Sequence, residues 1–159
     1  MSTLDATPLG NRRPFVGLAG GRKPVPFIPV TVRAAAAETG GAFEVFEIGI
    51  PAGAVRDVEV VPPQVHREHE EAFYILEGEL TFLLGDDRAV APKGTLVVVP
   101  RGTRHGFSGT AGSRFLVVLI PGGLAGFFEE LGAGLAAGHA DADLRAALAG
   151  KYDSYPEVP

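Results

Sequence analysis

From residue 43 to residue 123 the chain never goes far without a glycine or a proline. Short apolar runs at 43–50, 54–61, 72–76, 79–84, 88–91, 95–99, 105–108 and 114–120 are separated by turns rich in these two residues. Runs of this length suit strands better than helices, and the 22 glycines and 13 prolines supply the tight turns between them. Along a strand, alternate residues share a face. In 43–50 that puts Phe43, Val45 and Glu47 on one side and Glu44, Phe46 and Ile48 on the other. Pro62 and Pro63 are expected to stop the second strand, because proline donates no ladder hydrogen bond. The runs 72–76 and 79–84 are expected to form a hairpin about Glu77-Gly78. The run 95–99 is β-branched and almost wholly apolar, so it is expected to be buried. Short strands at even spacing suggest a sandwich or a barrel.

The flanks read differently. Residues 1–24 are expected to form an extended arm, with Arg12, Arg13, Arg22 and Lys23 as a solvated basic tail. Residues 25–33 fit an edge strand, and 34–41 a single helical turn ending at Gly40-Gly41. After Pro121-Gly122-Gly123 the period becomes helical. Leu124, Phe127, Phe128 and Leu131 fall at i, i+3, i+4 and i+7, with Glu129 and Glu130 on the solvent side. Asp141 is placed to cap a last helix through Ala149, closed by Gly150, and the tail 151–159 looks irregular. The chain is thus read as an arm (1–24), one β domain (25–123) and a helical segment with a tail (124–159).

A net charge of −5 argues against nucleic acid as a partner. The absence of cysteine excludes disulfides, thiolate ligands and Cys nucleophiles. No apolar run is long enough to span a membrane, and the first residues lack the apolar core of a signal peptide, so the expectation is a soluble, cytoplasmic protein.

Chemistry is concentrated in two stretches that hold three of the four histidines, PPQVHREHEEAFYILEG at 62–78 and GTLVVVPRGTRHGFSG at 94–109. Gln64 and His66 are two apart and share a face. Glu71 opens the next apolar run, a costly place for an unpaired carboxylate, and His105 follows a glycine turn. Two imidazoles and a carboxylate on adjacent strands suit Fe, Mn, Ni, Cu or Zn. His69, three residues from His66, is read as a turn residue or a substitute ligand. Glu68 and Glu70 are read as solvated, His139 as a helix-end or surface residue, and Tyr74 as outward-facing.

These stretches resemble the two motifs of the cupin superfamily. His66-x4-Glu71-x6-Gly78 fits the second half of G-x5-H-x-H-x3,4-E-x6-G, and Gly94-x5-Pro100-x-Gly102-x2-His105 fits G-x5-P-x-G-x2-H-x3-N up to its end. Three positions depart from the pattern. Gln64 stands where the family has its first metal-binding histidine, Gly109 where it has asparagine, and Val58 where the opening glycine falls.

The resemblance implies an all-β, double-stranded β-helix (jelly-roll) barrel with short C-terminal helices. The polar cluster would sit at its mouth, and Phe73, Ile75, Phe82, Val97, Phe107 and Phe115 would line a substrate pocket. It implies a divalent metal on His66, Glu71 and His105, with Gln64 as a weak fourth ligand, as a partner to substrate or water, or as the mark of a site without metal. The run PGGLAGFFEELG resembles the segment after the barrel in small quercetinase-like cupins, where it covers one end.

The activity so implied is a metal-dependent, dioxygenase-like reaction on an enolic aromatic or polyketide-like metabolite, with Glu71 and Gln64 as catalytic residues and Glu71 open to a raised pKa and a role as general base. A metal-independent isomerase, cyclase or dehydratase using the same cluster is the alternative, and a non-enzymatic binding module the third. A homodimer is the expected assembly.

Overall fold

A computed structural model describes residues 16–18, 20–53 and 58–156. Two five-stranded antiparallel sheets carry the chain. One has the order β1 (Val30–Ala34), β2 (Glu44–Gly49), β9 (Arg114–Ile120), β4 (Glu70–Glu77), β7 (Leu96–Val99). The other has the order β10 (Tyr155–Pro156), β3 (Val58–Val65), β8 (His105–Gly109), β5 (Glu79–Leu84), β6 (Asp87–Pro92). The inward residues of both sheets form one apolar core. At its centre the ring of Phe73 on β4 lies 5.1 Å from Phe82 on β5 and 5.4 Å from Phe107 on β8, both edge-on. Such pairs add about 1 kcal/mol each beyond simple burial. This is the jelly-roll arrangement expected from the strand spacing and the motifs.

Four local expectations are corrected. The runs around Glu77-Gly78 do not form a hairpin, because β4 pairs with β7 and β9 while β5 pairs with β6 and β8. The turn carries the chain from one sheet to the other. Gly78 makes this possible with φ 72° and a close approach in which a Cβ would lie 2.2 Å from Ser113 Oγ. The run at 95–99 is not buried. It forms the edge strand β7, whose Leu96 and Val98 face outward and are more than half exposed.

Pro62 and Pro63 do not end β3, which continues to Val65. They sit where the register with β8 shifts between Val61 and Gln64, and β10 pairs only with Val65 and Gln64, so neither proline is asked for a ladder bond. Gly106 lets the strands close at this bulge, since a Cβ there would come within 2.9 Å of Val61 O. Finally, Arg22 is not a free tail residue but half-exposed and paired with Glu38. Lys23 is exposed, and Arg12, Arg13 and most of the expected arm lie outside the described residues.

Among the described residues three helices complete the fold: α1 (Ala36–Thr39), α2 (Ala125–Ala136) and α3 (Asp141–Tyr152). Helix α1 ends at Gly40 in the left-handed region, as its glycine pair suggests. Helix α2 buries Phe127 and Leu131, and Phe128 meets Phe46 edge-on at 5.0 Å. Asp141 is the first residue of α3, not its cap, and the helix passes Gly150 to end at Asp153, which adopts φ 52°. His139 is exposed in the α2–α3 connection. Among the described residues no helix is long and apolar enough to cross a membrane.

Candidate metal centre

Gln64 and His105 face each other across the β3–β8 pair, His66 follows β3 directly, and Glu71 comes from β4 in the opposite sheet. The four side chains meet between the sheets. His66, Glu71 and His105 are 2%, 6% and 1% exposed, so any charge among them must be met locally. Glu71 Oε2 lies 2.9 Å from His105 Nε2 and 3.7 Å from His66 Nε2, and one ligand atom from each residue fits within 4.8 Å of the others.

The outer ring nitrogens define what the inner ones can do. His66 Nδ1 is 2.6 Å from the Asp153 carbonyl, and His105 Nδ1 is 2.9 Å from the Thr103 carbonyl. A carbonyl only accepts, so both Nδ1 atoms carry hydrogen and donate it. In the neutral rings both Nε2 atoms then present lone pairs inward. Opposite them stands a carboxylate, itself an acceptor. Glu71 Oε2 and His105 Nε2 are buried 2.9 Å apart without a well-directed hydrogen bond, so two lone pairs face each other unless a proton or a cation lies between them. Two of these three inward acceptors, Glu71 Oε2 and His105 Nε2, lack a donor, which suits a cation, and the outer carbonyls supply the orienting bonds that metal-bound histidines use.

The electrostatics point the same way. Burial pushes the Glu71 carboxyl up, but the imidazoles of His105, His66 and His69 outweigh it and hold the group below the usual carboxylate range. Burial pushes His105 down, but the Glu71 carboxylate and the Thr103 carbonyl raise it overall. The centre therefore favours positive charge. The raised Glu71 pKa that an apolar wall suggests is not found, because three imidazoles surround the carboxylate.

Gln64 is buried, its Oε1 accepts from Ser154 Oγ at 2.9 Å, and its Nε2 lies 3.3 Å from His66 Nε2. Its amide thus presents N–H to the imidazole. His69 is also buried; its Nδ1 donates to Pro121 O at 2.8 Å and its Nε2 lies 3.9 Å from Asp153 Oδ2. It precedes β4 in a bend, so strand alternation does not apply to it. Glu68 is exposed, Glu70 pairs with Arg101, and Tyr74 faces outward.

The supporting residues came from the tail that looked irregular. Asp153 accepts from His66 through its carbonyl and from the amides of Arg67 and Glu68, at 3.0 and 2.6 Å, through its carboxylate. Ser154 holds Gln64, and β10 then pairs with β3. The only signal in the sequence was a short polar pair after a helix, which is too common to be read.

Beside the centre lies a cavity of about 30 Å³, walled by Phe46, Phe73, Phe107, Val117 and Phe127. Of the expected pocket residues it includes Phe73 and Phe107. Ile75, Phe82 and Phe115 are wholly buried in the core, where the ring packing closes the space around them, and Val97 packs against that core.

Residues 55–121 match the family model of the cupin domain. The jelly roll is cupin-like. No curated protein matches the chain by sequence. Among solved structures, Streptomyces Pac13, described as a unique nucleoside dehydratase, shares 14% identity at a TM-score of 0.54, with 69% of this chain and 83% of that one covered. KdgF from a Halomonas species shares 17% identity at a TM-score of 0.49, covering 58% of this chain and 79% of that one. An RmlC-like cupin protein from Desulfovibrio desulfuricans shares 29% at a TM-score of 0.43, covering 51% and 74%.

Local packing also gives a physical reason for one departure from the motif. A Cβ on Gly109 would lie 2.3 Å from Ile50 Cδ1 and 2.6 Å from Leu80 Cδ2, so the asparagine of the pattern would have to push the ends of two buried core side chains aside. Gly109→Asn is expected to destabilise the fold by about 1–3 kcal/mol through overpacking, read as a lower urea midpoint at unchanged m-value.

Proposed function

We propose that this cupin is a divalent-metal-dependent enzyme acting on a small enolic substrate, with dioxygenase-like chemistry. The observation that carries the reading is the convergence of His66 Nε2, His105 Nε2 and Glu71 Oε2, the last two of them buried without a hydrogen-bond donor. His66, Glu71 and His105 would hold the metal, and two histidines with one carboxylate are a donor set used for non-haem iron, leaving positions open. When bound, such an ion supplies Lewis-acid stabilisation of an enolate oxygen and, if redox-active, access to O2 chemistry.

The chain's own residues do the rest. The Asp153 and Thr103 carbonyls keep both rings in the tautomer that turns Nε2 inward. Glu71, ionised, offsets part of the positive charge. Gln64 can turn its amide N–H from His66 to an anionic oxygen of substrate, while Ser154 holds its other end. Phe73, Phe107 and Phe127 exclude water from the reacting atoms, which strengthens every charge interaction there.

The test compares metal-loaded and chelator-stripped protein for oxygen uptake with short enolic 1,3-diketones, with and without a terminal carboxylate. Uptake restricted to the loaded protein supports the reading. A metal-replete sample that consumes no oxygen with either substrate class removes the dioxygenase part.

A second reading is favoured by the Gln64 amide, which occupies the His66 lone pair at 3.3 Å. In it no metal is needed. His105 and Glu71, 2.9 Å apart, exchange a proton with substrate in an isomerisation or dehydration. Full turnover by protein shown to be metal-free distinguishes it.

A further inference from the structure

We propose that Arg145 is the anion anchor of this cavity, so that the substrate carries a carboxylate at the end remote from the reacting group. The inference rests on the reading of the cavity as a substrate site and adds the class of molecule it accepts.

The wall of the cavity is apolar except for Gln64, Glu71, Ser154 and Arg145. The first three belong to the centre already described. Arg145 comes from α3, and its side chain is only 13% exposed, whereas its partner Asp141 one turn earlier is 47% exposed. An ordinary i, i+4 pair on a helix surface leaves both side chains in solvent. Here the arginine is drawn inward and the aspartate stays out.

The position is also held. Nε donates to Asp141 Oδ2 at 2.6 Å, and the guanidinium carbon lies 5.8 Å from the centre of the Phe127 ring. Among the described residues no protein acceptor is found for Nη1 or Nη2. A guanidinium fixed through Nε, with its other edge unclaimed at an apolar cavity, is arranged for a two-pronged contact with a carboxylate. Among the described residues, Arg145 is the lone basic side chain beside the apolar wall outside the Glu71 centre. A carboxylate entering this space can take two parallel hydrogen bonds from its guanidinium, which sets the direction in which a substrate lies. At about 30 Å³ the cavity as it stands has room for little more than water, so even a short substrate enters only where α2 and α3 give way.

The test uses butyrate and butyramide, which share shape and differ in charge, titrated by calorimetry into the full chain in both metal-loaded and stripped forms. Wild type is expected to prefer butyrate by at least about tenfold. Arg145→Gln should abolish that preference and Arg145→Lys retain part of it, with metal content unchanged in both. A carboxylate bound by the metal alone would keep its preference in Arg145→Gln, and that result overturns the proposal, as does equal or undetectable binding of the two probes by wild type. Metal content is read separately. A chain that binds no metal yet shows the Arg145-dependent preference sinks the metal reading and leaves the anchor standing.

Discussion

Replacing His105 with alanine is expected to strip the chain of bound divalent metal. Protein loaded with Mn(II) or Zn(II), dialysed and measured by elemental analysis should hold close to one ion per wild-type chain and almost none per variant. The expectation follows from the donor count. Among the described residues, only His66, Glu71 and His105 bring three potential ligand atoms within 4.8 Å of one another. Loss of one leaves two, and Gln64 is poorly placed to replace it, because its oxygen is engaged by Ser154. Changes to outer groups that merely orient ligands already cost about 10–100-fold in affinity. Loss of a ligand should cost more than about 100-fold.

Glu71→Gln separates charge from shape. It keeps an oxygen at the centre and removes the negative charge that offsets a dication in a buried place. It should therefore weaken binding strongly while leaving the fold intact. His69→Ala is the control. His69 is close by, with its ring centre 6.2 Å from that of His66, but it is turned to Pro121 and Asp153. Its loss should leave metal stoichiometry unchanged. Wild-type stoichiometry in His105→Ala would show that whatever metal binds does so elsewhere.

The sequence showed which residues would meet but not what holds them. Spacing together with the resemblance to the two motifs marked His66, Glu71 and His105 as a candidate centre, since each ends or begins an apolar run. Strand existence was legible for the same reason. Strand partners were not. A two-residue period records which face is inward but not which strand lies alongside, so the Glu77-Gly78 turn read as a hairpin when it is a passage between sheets. Nor does an apolar run such as 95–99 say whether its second face meets protein or solvent, and β7 shows the latter. The supports of the site were hidden by being ordinary. Asp153 and Ser154 look like tail residues, and Asp141-x3-Arg145 looks like a surface ion pair. Their significance comes from where α3 is set down, which is a tertiary fact.

Glu44 is the clearest such case, and its loss should be the largest single blow to stability. It is 2% exposed on the inward face of β2, in line with Phe46 and Ile48, where a lone carboxylate would be expected to unfold the protein. It is not alone. Oε1 accepts from the amide of Ala36, at the start of α1, at 3.0 Å. Oε2 accepts from Leu124 at 2.7 Å and Ala125 at 3.0 Å, at the start of α2. The capping position of α2 is a leucine with no side chain to offer, so a residue 80 positions away does the capping. The carboxylate also lies at the positive end of that helix dipole.

Glu44→Ala leaves buried amides without acceptors and should cost about 3–5 kcal/mol, since bonds to charged groups contribute about 1.5–3 kcal/mol apiece and are not additive. Glu44→Gln keeps one acceptor oxygen and should cost less than half as much. Urea unfolding of the three proteins measures both. Because α2 carries Phe127 over the cavity while the metal ligands sit on strands, Glu44→Ala should still take up metal below its unfolding transition. A cost under about 1 kcal/mol would mean that water reaches these amides and that α2 is held by its apolar face alone.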